Sequence, residues 1–227
     1  VSKAVALIDN GTVGWFFSGV TVLYGLLLGL LTVATWQNYS AAADIASREA
    51  ASIAVLYRDL SGYPDAVGQP LQAQLRAYTE SIVQRSWPAQ RRGMANDEER
   101  LELTQFQRAL LHTEVSSMSQ QVLHSEAIAT FNKLVELRRQ RIESISASVP
   151  GVLWAAVLIG ALLTIVFSYC FVVVSLRLHA LLTGLLALMV GVMVFLIAAL
   201  DHPYLGDVSV SPDAYQVVLD KVMAPTP

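Results

Sequence analysis

The sequence predicts an all-α, multi-pass membrane protein with a helical extramembrane bundle inserted between its first two spans. Two observations carry this fold class. Three apolar runs of 23 or 24 residues, Val13–Trp36, Val152–Val174 and Leu178–Leu200, contain no Asp, Glu, Lys or Arg. At about 1.5 Å per residue, a helix over any of them crosses a hydrocarbon core of roughly 30 Å. In addition, 54% of the 227 residues are apolar and only 15% are charged, at a mean hydropathy of +0.50. One such run could be the core helix of a soluble domain, but three are hard to bury without lipid.

The chain reads as four segments: an N-terminal segment and first span (1–36), the bundle (37–149), a transmembrane hairpin (150–200) and a C-terminal tail (201–227). The first span carries a stripe. Gly14, Ser18, Thr21, Gly25, Gly29, Thr32 and Trp36 recur every three or four residues and share one helix face, opposite Phe, Val and Leu. Gly25-Leu-Leu-Leu-Gly29 is the small-xxx-small pattern that lets membrane helices approach closely. Two readings stand side by side. Either this face packs against other helices, or in an oligomer it lines a pore, where small residues and hydroxyls leave room for a permeant.

No Gly or Pro occurs between Trp36 and Leu60, so the first helix is expected to leave the membrane and continue with Ile45, Ile53, Leu56 and Leu60 on its apolar face. Ser61-Gly62-Tyr63-Pro64 ends it. A second helix is expected over Gln69–Trp87, with Leu71, Leu75, Tyr78 and Ile82 on one face and Pro88 as its stop. After a polar linker over 91–97, Asn96 or Asp97 can cap a third helix carrying Leu103, Phe106 and Leu110, with Glu98 and Glu99 favourable in its first turn. Ser116-Ser117-Met118-Ser119 breaks or bends the pattern. A fourth helix, from Gln120 to about Ser148, presents Ala127, Phe131, Leu134 and Ile142. In the tail only a brief helix near Tyr215–Met223 is expected.

Within the hairpin, Gly160, Thr164 and Ser168 form one small line, and Gly184, Ala187 and Gly191 another, both suited to close packing. Neither line holds an acid or base, so a proton relay has no side chains to run on. A weakly selective pore needs none. Residues 1–12 carry one Lys and lead into a run too long for a cleaved signal core. Cys170 is the single cysteine and lies in the second span, so no intrachain disulfide framework exists. Near the span ends, Arg48, Arg138, Arg139 and Arg141 on the bundle side outnumber Lys3 and Arg177 opposite. The positive-inside rule then places the bundle in the cytoplasm.

No catalytic motif stands out. There is no phosphate-binding glycine loop, no His-Glu-x-x-His and no Gly-x-Ser-x-Gly. His112 and His124 lack the i,i+4 His, Cys or Asp partner of a metal site. The bundle carboxylates alternate with arginines, as on a solvated helix surface. The chain is therefore read as a non-enzyme without metal or cofactor, and no basic stripe with interleaved aromatics suggests nucleic acid.

Three stretches resemble the bacterial bestrophin-like domain family: Leu23-Tyr24-Gly25-Leu26-Leu27-Leu28-Gly29 to Trp36-Gln37-Asn38-Tyr39; Ser47-Arg48-Glu49-Ala50 to Leu56-Tyr57-Arg58; and Leu200-Asp201-His202-Pro203-Tyr204-Leu205-Gly206-Asp207 to Ser211-Pro212. The likeness covers nearly the whole chain. That family usually has a further apolar helix ahead of Asp9-Asn10-Gly11, which would make a fourth span in a longer chain. The onward similarity to bestrophins implies a pentameric anion channel whose pore helix continues into the cytosol, as Val13–Leu60 would. It also implies a homo-oligomer in a bacterial inner membrane, with the lipid bilayer, other copies of the chain and an inorganic anion such as chloride as partners. The tail is expected to dock through Asp201, Pro203 and Asp207 on the base of the first helix or on a neighbouring subunit. Pro203-Tyr204-Leu205-Gly206-Asp207 is similar to the start of a calcium clasp, but Asp207, Asp213 and Asp220 are spread out and form no consecutive run of acids. The rival reading is a non-catalytic accessory subunit of a membrane complex.

Overall fold

The computed structural model describes residues 10–94, 98–173 and 175–224. Every regular element among them is helical: α1 (Asn10–Leu60), α2 (Asp65–Ser81), a π-helical turn (Ile82–Ser86), α3 (Trp87–Gln90), α4 (Glu98–Leu111), α5 (Met118–Ile145), α6 (Gly151–Ser168), α7 (Leu176–Asp201) and α8 (Asp213–Lys221). Three of these, α1, α6 and α7, are long and apolar enough to cross a membrane. The chain is thus an all-α integral membrane protein. It divides into two compact units, one of the chain up to Asn38 with Ser148–Asp201, the other of Tyr39–Ala147 with the chain from His202.

Helix α1 has 51 residues, about 77 Å of helix, of which a bilayer core needs only roughly 30 Å. In the membrane unit its buried face is Tyr24, Leu28, Leu31 and Thr35. This face meets Val157, Val190 and Ile197 of α6 and α7 in one cluster. On α7 the buried Thr183, Val190 and Ile197 are spaced by seven, so one stripe of that helix faces inward. Three threonine hydroxyls of α1 are satisfied locally: Thr21 donates to Phe17 O at 2.8 Å, Thr32 to Leu28 O at 2.8 Å and Thr35 to Leu31 O at 3.0 Å. Helix α6 stops at Ser168, short of the expected Val174. One cause is visible at Val172, whose N–H and carbonyl are both taken by the Asn10 side-chain amide, at 3.0 and 2.9 Å. Backbone bonded this way needs no helix at that point. Val174 itself lies outside the described residues.

In the bundle unit the buried face of α1 is Ala42, Ala46, Glu49, Ala50, Ile53, Leu56 and Leu60. Leu75 and Tyr78, Ile82 and Trp87, Phe106 and Leu110, Phe131 and Leu134, and Tyr215 pack into the same core. Gly68 allows a close approach, because a Cβ there would stand 2.6 Å from Leu60 O. The second bundle helix differs from the expected Gln69–Trp87. It begins at Asp65 behind Pro64, passes through the π turn and runs to Gln90. Pro88 does not stop it, because it falls in the first turn after the π segment, where a missing N–H is tolerated.

The fourth bundle helix starts at Met118 because Ser117 and Gln120 make a reciprocal capping box, the Gln120 N–H donating to Ser117 Oγ at 3.2 Å. It ends at Ile145. The tail helix is Asp213–Lys221, ending before the expected Met223. The expected caps Asn96 and Asp97, and Lys3 of the charge count, lie outside the described residues.

Candidate functional site

The small-residue stripe of α1 does not coincide with the face that packs inside the protomer. Tyr24, Leu28, Leu31 and Thr35 make the intramolecular contact, and Tyr24 Oη donates to Val157 O at 3.1 Å. The stripe flanks that face. Gly14, Gly29, Thr21 and Thr32 are half-buried, whereas Ser18, Gly25 and Trp36 are exposed. A Cβ added at Gly14, Gly25 or Gly29 would meet nothing within 4 Å. Thr21 and Gly25 also line a cleft of about 340 Å³ walled by Thr164, Met189, Val190 and Met193.

The small residues of the hairpin behave unequally. Gly160 receives the Tyr24 ring, Thr164 is buried, and the hydroxyls of Ser168 and Thr183 lie 3.3 Å apart. Gly184 and Gly191, by contrast, are exposed with nothing within 4 Å, so they do not pack in the protomer. Lipid offers little hydrophobic drive between helices, so such contacts are decided by shape and hydrogen bonds.

The tail residues separate. Asp201 ends α7 buried in the membrane unit, where it accepts from Val149 N and from Trp154 Nε1, the latter at 3.0 Å. Pro203 is buried in the bundle unit, and its carbonyl accepts from Val210 N at 2.8 Å. Asp207 is exposed and lies 3.4 Å from Arg91. The buried Tyr204 donates through Oη to Ala42 O at 3.1 Å, and Trp87 Nε1 to Val210 O at 2.8 Å. Among the described residues no group of three or more His, Cys, Asp and Glu could hold a metal ion. His124 instead sits 2.8 Å from Tyr63 Oη.

One cluster is absent from the sequence reading. Glu49, Glu99 and Arg141 are all 0% exposed. Arg141 Nε donates to Glu49 at 2.7 Å, and its Nη2 donates to Glu99 at 2.8 Å. Tyr215 and Tyr78 donate to Glu49 at 3.0 and 3.3 Å, Arg138 lies 3.4 Å from Glu99, and Arg141 stands over the Trp87 ring. Burial, and next the Glu49 charge, push the Tyr78 and Tyr215 hydroxyls well above the usual tyrosine range. Burial alone would weaken the Arg141 charge, but Glu49 and Glu99 outweigh it and hold the guanidinium protonated. A signal existed: Glu49 falls on the same three-and-four spacing as Ala42, Ala46 and Ile53. Arg141 likewise continues Ala127, Phe131 and Leu134, whereas Ile142 is only half-buried.

Comparison with known families matches the Bestrophin-like domain over residues 3–215. The chain belongs to that family. Two solved structures share the fold of this Bestrophin-like chain. A bacterial bestrophin homologue from Klebsiella pneumoniae, carrying a leucine-to-threonine mutation, aligns with a TM-score of 0.72 at 10% identity, covering 92% of this chain and 87% of that one. A membrane protein with a proline-to-alanine substitution aligns with a TM-score of 0.70 at 11% identity, covering 90% and 85%. Among curated proteins no significant match is found. At such identities the two structures speak for the fold of the Bestrophin-like chain, and the roles of its residues rest on their own chemistry.

Proposed function

We propose that this Bestrophin-like protein is a non-catalytic, homo-oligomeric channel that passes inorganic anions such as chloride, with α1 lining the pathway. The observation that carries the reading is the open stripe. Gly14, Ser18, Thr21, Gly25, Gly29, Thr32 and Trp36 lie beside the face that α1 uses against its own protomer, and its glycines meet nothing within 4 Å. A face of small residues and hydroxyls in a membrane helix needs either a neighbour at close range or a permeant.

Family membership favours assembly around an axis, which we take to be fivefold, with the bundle in the cytoplasm and the spans in a bacterial inner membrane. In this arrangement the tail residues Asp201, Pro203 and Asp207 brace the base of the first helix or a neighbouring subunit. The test is chloride flux in proteoliposomes holding the wild-type protein, read against Thr32→Val, which keeps the shape and removes the hydroxyl. Flux in the wild type and altered ion selectivity in Thr32→Val support the proposal. A wild-type protein that passes no ion under varied pH, calcium and voltage refutes it in favour of an accessory subunit.

A further inference from the structure

We propose that the cleft between the C-terminal turns of α1 and α8 is a binding site for a small oxyanion of the phosphate class. It measures about 400 Å³ and is lined by Tyr57, Arg58, Ser61, Gln72 and Lys221, with Val222 and Ala224. That volume lies in the range of small-molecule sites and exceeds what a monatomic ion requires. Among the described residues no Asp or Glu lines it. Arg58 and Lys221 are both exposed, and neither side chain makes a hydrogen bond or ion pair in the described structure.

The ordinary role of cations at such a place is to complement helix C-termini, each equivalent to roughly half a negative charge. Here that role is filled by neutral donors and by the Glu80-paired Arg76, whose Nη1 donates to Met223 O at 2.7 Å. Gln72 Nε2 donates to Tyr57 O at 3.0 Å, and Ser61 donates to Arg58 O through its hydroxyl at 2.6 Å and its N–H at 3.0 Å. On α8, Val218 O takes the N–H groups of both Val222 and Met223. Two full positive charges against two half charges leave an excess of about one on the cleft. A planar guanidinium and an ammonium facing one space suit a multi-oxygen anion, which accepts from both at once. The proposal goes beyond the channel reading and stands without it, because it concerns binding and not flux.

The test is arginine modification by phenylglyoxal, a neutral reagent, on the full chain in detergent, with Arg58 followed by mass spectrometry. Arg92, exposed outside the cleft, is the internal control. Inorganic phosphate at millimolar concentration is expected to slow modification of Arg58 and leave Arg92 unchanged, while chloride at equal ionic strength protects neither. Lys221→Gln is expected to raise the phosphate concentration for half-protection about tenfold, as loss of one charge-assisted contact does. Glycerol 3-phosphate is the second arm. Protection at lower concentration than inorganic phosphate assigns an organic phosphate as ligand, and the reverse order assigns free phosphate. Equal rates at Arg58 in phosphate and chloride, or protection unchanged in Lys221→Gln, overturn the proposal.

Discussion

The Tyr24 ring lies so close over Gly160 that a Cβ on residue 160 would stand 2.5 Å from its Cε2. This pair fixes which face of α1 is spent inside the protomer and which remains open.

Gly160→Ala should therefore be disproportionately costly for one methyl group. Overpacking of this kind costs about 1–3 kcal/mol, whereas Gly184→Ala, where nothing lies within 4 Å, should be neutral or slightly stabilising. Thermal unfolding of the solubilised protein measures both. In the double variant Tyr24→Ala/Gly160→Ala the penalties should be non-additive, since one ring causes the clash. Additive losses would mean the two residues do not meet.

Arg141→Met leaves Glu49 and Glu99 buried without their shared cation. Breaking a buried pair from one side costs about 3–5 kcal/mol. The exposed Arg48–Asp44 pair, 3.3 Å apart, is the control, and Arg48→Met should cost about 0.5 kcal/mol or less. Denaturant unfolding of the two variants compares these directly.

Alkaline stability follows from the same cluster. The Tyr78 and Tyr215 hydroxyls keep their protons in the folded state well above their usual range, while the unfolded chain releases them near pH 10. Their contribution is fully present below about pH 10 and is lost as pH rises above it. Each group lowers stability by about 1.4 kcal/mol per pH unit in that window. Tyr215→Phe should flatten the decline by one group's share, as read by unfolding at stepped pH.

Topology is checked by cysteine labelling. After replacement of the exposed Cys170 by Ala, cysteines at Asp65 and Asp213 should label from the same face of sealed vesicles, and one at Arg177 from the other. Labelling of positions 65 and 213 from opposite faces would contradict a three-span path.

Much of the fold was legible because hydrocarbon and helical periodicity leave strong marks. The three apolar runs, the unbroken 37–60 stretch and the Ser61–Pro64 stop all correspond to observed features. The π turn over Ile82–Ser86 was not legible, since no residue there demands i→i+5 bonding, and so Pro88 read as a stop. Glu49, Glu99 and Arg141 were missed because single charges on a helix are ordinarily solvated. Their burial depends on three helices meeting, which spacing along one helix does not reveal. At the candidate site the stripe was visible as a face, but not that Tyr24 and Leu28 beside it do the packing. A large ring over a glycine on another span is a pairing between distant residues, and composition is silent on such pairs.

The most direct test of the central claim is chloride flux through proteoliposomes holding Gly25→Leu, with the assembled mass measured on the same preparation. Nothing in the protomer lies within 4 Å of a Cβ at Gly25, so the side chain should cost little inside one chain. If the stripe lines the pathway, assembly persists with the wild-type mass while chloride flux falls. Wild-type flux through an intact Gly25→Leu assembly, or loss of the assembly itself, would contradict a pathway along this face.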